Sequence, residues 1–318
     1  MVNFPKISII TPSYNQGQYI EQTICSVLEQ NYPNLEYIII DGGSTDNTVD
    51  KIKKYEKYLT YWVSEPDRGQ SHAINKGFAR CTGDLVNWLN SDDWYQPGAF
   101  RVLSELANQN PHENVFCFTE RKHLPDGTLE YNRTPAFDSL AKALFYSEID
   151  QPATFFRKNV WDKLFPLREE LHYIMDGELW VRYLLQWGFT HIYHSDFEMV
   201  NFRVHQDSKT MHNTTQQVFM KDRSAIMHAI MHSCGFPDTL IHQVLQYYFT
   251  NTDITPFQAK YEISEAQKAE IFRYLTKKVA ITAINKKHNE MARWAAYLLL
   301  RRLTDIPFSL NIIRKTIV

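Results

Sequence analysis

The sequence predicts an α/β fold in which a mostly parallel sheet is flanked by helices and followed by a helical C-terminal region. Over the first ninety residues, short apolar runs typical of buried strands alternate with segments of helical spacing. From about residue 213 the pattern changes to amphipathic helices with short loops. Strand–helix alternation at this spacing is typical of right-handed βαβ units. We therefore expect one domain at residues 1–212 and a helical region at 213–318.

Four apolar runs predict the strands of the parallel sheet, and the segments between them predict helices. The runs are residues 7–11, 35–40, 61–63 and 85–89. The second is almost entirely apolar, which favours burial on both faces of the sheet. Between the first two runs, Ile20, Ile24, Val27 and Leu28 recur at the spacing of a helix face. Further helical stripes follow the second run (positions 49, 52 and 59) and the third (positions 73, 74, 77 and 78).

The middle of the chain predicts a mixture of strands and helices. Residues 115–119 and 129–132 flank Pro125-Asp126-Gly127, which is typical of a hairpin turn. Residues 151–156 predict a strand, and 160–164 a helix after it. Trp180, Tyr183, Leu184 and Trp187 share one face of a helix that begins just beyond Asp176.

Composition excludes several classes of protein. Of the 318 residues, 44% are hydrophobic and the net charge is -2, so nothing predicts a nucleic-acid partner. The four cysteines are scattered without a CxxC pair, which favours free thiols in a reducing compartment. The first residues do not resemble a signal peptide, and no apolar run approaches the ~20 residues of a membrane span. We expect a cytoplasmic protein.

A polar cluster follows each of the four predicted strands. The clusters are residues 12–15, 41–46, 65–70 and 90–93. In parallel sheets, ligands bind beyond the carboxyl ends of the strands, so we expect these clusters to converge at one edge. The oxygen-rich cluster at 90–93 suits Mg²⁺ or Mn²⁺, which bind through one or two carboxylates plus substrate phosphates. The alternative is a simple turn, because Asn, Ser and Asp are common turn residues.

Six segments, taken in order, carry a resemblance to a known family. They are 11–15 (TPSYN), 41–46 (DGGSTD), 67–70 (DRGQ, with Ala73 and Asn75 after it), 90–93 (NSDD), 175–180 (MDGELW) and 202–205 (FRVH). In this order they resemble the inverting glycosyltransferases of family 2, which have the Rossmann-like GT-A fold. The resemblance covers roughly the first 210 residues.

The resemblance implies a nucleotide-binding set spread over four loops. Its members are Pro12, Ser13, Tyr14, Asn15, Asp41, Asp67, Arg68, Gln70, Asn90 and Ser91. Pro12 and Tyr14 would line the base pocket, and Asp41 would accept a hydrogen bond from the base imino group, which favours a uracil-type donor. From the residues alone, Asp41 is also a candidate for a helix-capping turn, and Arg68 for an exposed arginine rather than a diphosphate contact.

The resemblance also implies a cation site, with Mn²⁺ or Mg²⁺ held by Asp92 and His205. Asn90, an uncharged residue, stands where the family usually has the first aspartate of an Asp-x-Asp triplet. Asp93 would hold hydroxyls of the donor sugar, with orientation of Asp92 or structural capping as alternatives. A satisfied structural histidine is the alternative for His205.

Asp176 is the residue predicted to carry the chemistry. Inverting transfer needs one carboxylate to take the proton of the acceptor hydroxyl as it attacks the anomeric carbon. The family pattern often has Glu-Asp at this point, and Met175 replaces the glutamate. Glu178 is a candidate for the acceptor site or for a helix N-terminal charge. The alternative for Asp176 is a helix N-cap.

We therefore predict a glycosyltransferase that moves a sugar from a nucleoside diphosphate donor, with UDP expected, to a glycan or lipid-linked glycan. A sugar-nucleotide pyrophosphorylase is one rival, but the first loop, 12–17, lacks Lys and Arg. The other rival is a non-catalytic glycan-binding protein that retains the fold. Nine basic residues at 276–318 predict packing against the catalytic domain or contact with the inner membrane surface.

Overall fold

A nine-stranded mixed sheet forms the centre of the fold. The structure is a computed structural model, and it describes residues 3–206, 208, 209, 213–249, 257, 259–285 and 295. The strands are β1 (Ile7–Ser13), β2 (Leu35–Asp41), β3 (Tyr61–Ser64), β4 (Leu85–Trp88), β5 (Trp94–Tyr95), β6 (Val115–His123), β7 (Leu129–Arg133), β8 (Thr154–Arg157) and β9 (Ile192–Arg203). Their order is β3-β2-β1-β4-β8-β6-β9-β5, with β7 paired to β6. The first four strands run parallel.

Ten helices accompany the sheet in the described residues. They are α1 (Ile20–Leu28), α2 (Thr48–Tyr55), α3 (Gln70–Phe78), α4 (Ala99–Gln109), α5 (Leu140–Tyr146), α6 (Lys158–Leu164), α7 (Met175–Trp187), α8 (Asn213–Ser233), α9 (Asp238–Tyr248) and α10 (Glu265–Asn285). The predicted α/β fold, with its largely parallel sheet, flanking helices and helical C-terminal region, is confirmed.

The chain divides into two compact units. The first consists of Met1–Ala136, Glu148–Tyr183 and Phe189–Asp222, and the second of Phe137–Ser147, Leu184–Gly188 and Arg223–Val318. The second unit therefore takes two short pieces from the earlier part of the chain. The predicted domain boundary between residues 212 and 213 stays a prediction.

Burial of β1 on both faces explains how the site edge is anchored. All seven residues of this strand are buried, and each fully buried isoleucine contributes roughly 1.5–3 kcal/mol. On one face, Ile7 and Ile9 pack into the main apolar cluster with Ile24. On the other, α3 approaches so closely that a Cβ at Gly77 would lie 2.5 Å from Ile10 Cγ2.

The predicted strand at 151–156 is partly wrong. Gln151–Ala153 form a 3-10 turn, and the strand begins only at Thr154. The Gln151 side chain explains the difference, because its amide donates to Asn87 Oδ1 and to the Trp88 carbonyl, both at 2.8 Å. Pro152 also has no N–H to donate to a strand.

Helices dominate the second unit. The Glu270 carboxylate accepts a hydrogen bond from the amide of Ala141 at 3.1 Å, and Lys278 Nζ donates to the Tyr146 hydroxyl at 3.2 Å. These contacts link α10 with α5. Most of the predicted basic tail, residues 286–294 and 296–318, lies outside the described residues. Within the described part, no helix is long and apolar enough to span a bilayer.

Candidate active site

The loops after β1 and β2 form one hydrogen-bonded block. Ser13 and Asp41 are the last paired residues of the two strands. Beyond them, Asn15 Oδ1 accepts from the Thr45 amide at 2.9 Å, and the Asn15 amide donates to Ser44 Oγ at 2.7 Å. Pro12 and Ser13 are buried. Tyr14 projects from the block with 60% of its surface exposed, so its ring is accessible to a ligand.

The Asp41 carboxylate organises its own loop. The residue is fully buried, and its Oδ2 accepts hydrogen bonds from the Gly43 amide (3.1 Å), the Ser44 amide (2.9 Å) and Ser64 Oγ (2.6 Å). This geometry supports the turn role that the sequence left open. Contact with a nucleobase stays a prediction for Asp41.

Asp92 and His205, the predicted cation ligands, lie side by side. Asp92 is on the loop between β4 and β5, and His205 follows β9, 113 positions later. His205 Nε2 lies 3.0 Å from Asp92 Oδ2, with the side chains 12% and 21% exposed. The His205 ring also packs on Tyr19, with centroids 4.7 Å apart. The fold therefore brings these two donors together at one accessible point.

Asp93 faces inward and supports the acidic loop. It is 1% exposed, and its Oδ1 accepts from the Arg203 amide at 2.9 Å. Burial, together with the neighbouring charge of Asp92, raises the pKa of Asp93 well above its usual range. The Arg203 guanidinium donates to the Asp92 carbonyl at 3.0 Å and lies over the Trp94 ring at 4.6 Å. This geometry favours the orienting role for Asp93 over sugar contact.

Three polar side chains join the third and fourth polar clusters. Gln70 Nε2 donates to Asn90 Oδ1 at 2.7 Å, and Lys209 Nζ donates to Gln70 Oε1 at 2.6 Å. The same ammonium donates to the His172 carbonyl at 3.0 Å. Ser91, beside Asn90, is 4% exposed. Lys209 was missed by the sequence analysis, because no motif surrounds it.

Asp176 lies in the first turn of α7 and is half-buried. Its Oδ1 accepts from the Gly177 amide at 2.8 Å. Burial raises the pKa of Asp176 to about 6, against the opposing effects of this hydrogen bond and of the Lys209 charge. Loss of solvent lowers the pKa of Lys209, and Asp176, Asp222 and Asp92 oppose that change. Asp92 and Asp176 therefore act on the same ammonium group.

Glu178, Arg68 and Asp67 are engaged with other groups of the protein. Glu178 is fully buried and pairs with Arg182 at 2.9 Å, which favours a role within the helix over acceptor contact. Arg68 is ion-paired with Glu169 at 2.7 Å. Asp67 Oδ1 accepts from the Gly69 amide at 2.7 Å.

Two further carboxyls near the site were missed by the sequence analysis. Burial, with the Asp150 charge as a second cause, raises the pKa of Glu120 to about 8. Burial, with the Asp176 charge as a second cause, raises the pKa of Asp150 to about 7. Asp150 Oδ2 is buried and has no hydrogen-bond partner among the residues that the structure describes. A line of interacting acids thus runs from Asp176 through Asp150 to Glu120.

Comparison with known proteins agrees with this geometry. The model of glycosyl transferase family 2 matches residues 8–166, half of the chain. The chain belongs to this family. A putative teichuronic acid biosynthesis glycosyltransferase, TuaG of Bacillus subtilis, is 45% identical over 120 residues, covering 36% of this chain and 46% of the relative. An uncharacterized glycosyltransferase of Mycobacterium tuberculosis is 42% identical over 121 residues, covering 37% and 46%. The matched region thus spans less than half the length of these relatives.

Solved structures support the fold of a family 2 member. Residues 1–349 of Staphylococcus aureus TarS match with a TM-score of 0.58 at 18% identity, covering 97% of this chain and 90% of that one. A mannosyltransferase from Pyrobaculum calidifontis, in complex with GDP-Man and Mn²⁺, matches with a TM-score of 0.52 at 15% identity, covering 97% and 78%. At these identities the likeness concerns the fold alone, and the predicted GT-A fold is confirmed.

Asp92 and His205 fit a divalent cation that is completed by substrate. Among the residues that the structure describes, no group of three His, Cys, Asp or Glu side chains could hold a metal ion. A carboxylate oxygen and an imidazole nitrogen are suitable ligands for Mn²⁺. Such ions commonly use one or two protein carboxylates and fill the remaining positions with substrate phosphates and water. Asp92 Oδ2 and His205 Nε2, which lie 3.0 Å from each other, would be the two protein donors of such a site.

Proposed function

We propose that this chain is an inverting glycosyltransferase that transfers a sugar from a UDP-sugar to a hydroxyl of a glycan or lipid-linked glycan. One observation carries the proposal: His205 Nε2 lies 3.0 Å from Asp92 Oδ2, 113 positions away in sequence, and the charges of Asp92 and Asp176 both act on the Lys209 ammonium. Glycosyl transfer requires a cation site near a basic carboxylate, and this arrangement supports assigning those roles to the Asp92–His205 pair and to Asp176.

Donor binding begins at the block formed by the first two loops. Tyr14 presents an exposed ring on which a base can stack, an interaction worth ~1–3 kcal/mol. The S. aureus TarS fragment was solved with UDP and with UDP-GlcNAc, which supports uridine as the nucleoside. The diphosphate would extend toward Asp92 and His205. A divalent cation held there neutralises the charge of the diphosphate leaving group.

Asp176 is the base in this proposal. The acceptor hydroxyl attacks the anomeric carbon from the face opposite the diphosphate, and Asp176 takes its proton. A bond from the anomeric carbon to the acceptor oxygen forms as the bond to the diphosphate oxygen breaks, so the configuration inverts. A pKa of about 6 suits this role, because the carboxylate is ionised at neutral pH and more basic than an exposed aspartate.

The proposed acceptor is a glycan, and the name of one relative supports this choice. TuaG is named for teichuronic acid biosynthesis, which supports a cell-surface polysaccharide as the product. A cytoplasmic location, with residues 276–318 contacting the inner membrane surface, completes the proposal. Vesicles of anionic lipid should retain the full chain and release a chain truncated after residue 275; equal recovery of both rejects the membrane contact.

A panel of nucleotide sugars tests the activity. We expect release of UDP from a UDP-sugar in the presence of acceptor glycan and Mn²⁺, and loss of that release with a chelator. Asp176→Asn should still bind UDP while sugar transfer drops by roughly 10²- to 10⁴-fold. Glycan binding without nucleotide binding would instead establish the non-catalytic alternative, and full activity of Asp176→Asn would remove Asp176 from the mechanism.

A further inference from the structure

Lys209 is a cation that lies beside the proposed donor site. Its ammonium is hydrogen-bonded to Gln70 (2.6 Å) and to the His172 carbonyl (3.0 Å), and through Gln70 it is one side chain away from Asn90. Lys209 is nevertheless an exposed residue, so a ligand can reach it. Within the described residues, the hydrogen-bond partners of this ammonium are an amide oxygen and a backbone carbonyl, which carry no net charge. The ammonium is therefore free to exchange these neutral acceptors for an anionic one.

Arg68, which the family resemblance suggests as a diphosphate contact, is already ion-paired. Both its Nε and its terminal nitrogen contact Glu169 Oε2, at 2.9 and 2.7 Å. Glu169 Oε1 is also held by Asn75 Nδ2 at 3.3 Å. To bind a phosphate, Arg68 would have to give up two contacts to one carboxylate oxygen. Lys209 would exchange hydrogen bonds to two uncharged acceptors for bonds to an anion, which add the Coulomb attraction between opposite charges.

The charges around Lys209 also favour an anion that arrives with a metal ion. Asp176, Asp222 and Asp92 act on the ammonium, and Asp222 is occupied by the Tyr173 amide at 2.9 Å. A diphosphate that arrived without a metal ion would be repelled by these three carboxylates. A diphosphate bound together with a divalent ion at Asp92 and His205 would bring its own positive charge, and Lys209 could then contact the remaining phosphate oxygens.

We propose that Lys209 is a ligand of the donor diphosphate, and that it takes the role the sequence assigns to Arg68. This inference rests on the proposed function, because it presumes a nucleoside diphosphate donor. When the donor binds, the ammonium leaves Gln70 and the His172 carbonyl and donates to phosphate oxygens beside Asp92. Gln70 and Asn90 then keep their mutual hydrogen bond at 2.7 Å. Lys209 thus contributes to the affinity for the phosphates and does not contribute to the affinity for the base.

Calorimetric titration of the full chain with uridine, UMP and UDP, in the presence of Mn²⁺, tests this assignment. Lys209→Gln should weaken UDP binding roughly 10- to 100-fold, the range for a hydrogen bond to a charged group. The same variant should bind uridine within about twofold of the original protein, and UMP with an intermediate loss. Lys209→Arg should retain most of the UDP affinity. Lys54→Gln is the matched control, since Lys54 is 59% exposed and pairs with Glu21.

The outcomes separate this inference from the proposed function. Equal UDP affinity in Lys209→Gln and the original protein overturns the inference and leaves the function standing. An equal loss for uridine, UMP and UDP also overturns it, because Lys209 would then act only by positioning Gln70. If the original protein binds none of a panel of nucleoside diphosphates, the proposed function itself fails.

Discussion

Replacing Asp176 with asparagine should inactivate the protein and, at neutral pH, stabilise it. The carboxyl has an ordinary pKa of 3.8 and a folded-state pKa of about 6, chiefly because of burial. The folded state therefore holds the proton more tightly than the unfolded state. Stability is lost as pH rises from about 4 to 6, and the full cost is present above that range. Asparagine keeps the shape and removes the ionisation.

The size of the effect follows from the shift. Two pKa units at ~1.4 kcal/mol each correspond to about 3 kcal/mol, which Asp176→Asn should gain in free energy of unfolding at pH 7.5. At pH 4.5 most of the folded protein is already protonated at this position, and the gain should fall to about 1 kcal/mol. Sugar transfer should drop by roughly 10²- to 10⁴-fold, the usual contribution of a general base.

Urea denaturation at both pH values, together with nucleotide release from a UDP-sugar, measures these effects. Glu178→Gln is a matched comparison, because Glu178 lies on the same helix turn but is fully buried in an ion pair with Arg182. Removing that charge should destabilise the protein by about 3 kcal/mol. The raised pKa of Asp176 is wrong if Asp176→Asn is less stable than the original protein at pH 7.5. It is also wrong if the free energy of unfolding rises equally at both pH values.

Three further perturbations have defined outcomes. The kcat/KM of the original protein should rise with pH and level off above an apparent pKa near 6, as Asp176 loses its proton; a flat profile from pH 5 to 8 would contradict this. His205→Ala should raise the Mn²⁺ concentration for half-maximal activity at least roughly tenfold, and an unchanged metal titration would remove His205 from the cation site. Gly77→Ala should cost about 1–3 kcal/mol in urea denaturation, because its Cβ would lie 2.5 Å from Ile10 Cγ2; a neutral result would mean that α3 can shift away from β1.

The parallel part of the fold could be predicted because its strands carry a local pattern. β1, β2 and β4 are short apolar runs buried on both faces. β9 was missed for the opposite reason. Its twelve residues mix apolar, polar and charged side chains, only three are buried, and its pairing with β6 contains register irregularities. The position of β9 is fixed by its pairing with other strands, so its sequence shows no clear alternation of apolar and polar residues.

The residues of the candidate site also differ in whether the local sequence reveals them. The motif residues Asp92, His205 and Asp176 were predicted from short, recognisable segments. Lys209 and Asp150 lie in segments without a motif, and their importance comes from groups distant in sequence. Asp150 interacts with Asp176, and Lys209 interacts with Asp92 and Asp176. Such long-range electrostatic neighbours become visible only when the fold is known.

The short strand β5 gives the Asp92–His205 pair a further property. Trp94 and Tyr95 pair with Asn201 and Val200, so this two-stranded ladder ties the segments that carry both ligands. Closing a flexible loop between positions 113 apart would cost about 4 kcal/mol in chain entropy, beyond a constant term. This chain entropy is lost when the protein folds, before an ion binds. A cation bound by this proposed pair would meet two donors that the fold already holds together, and its affinity would reflect coordination rather than the ordering of the polypeptide.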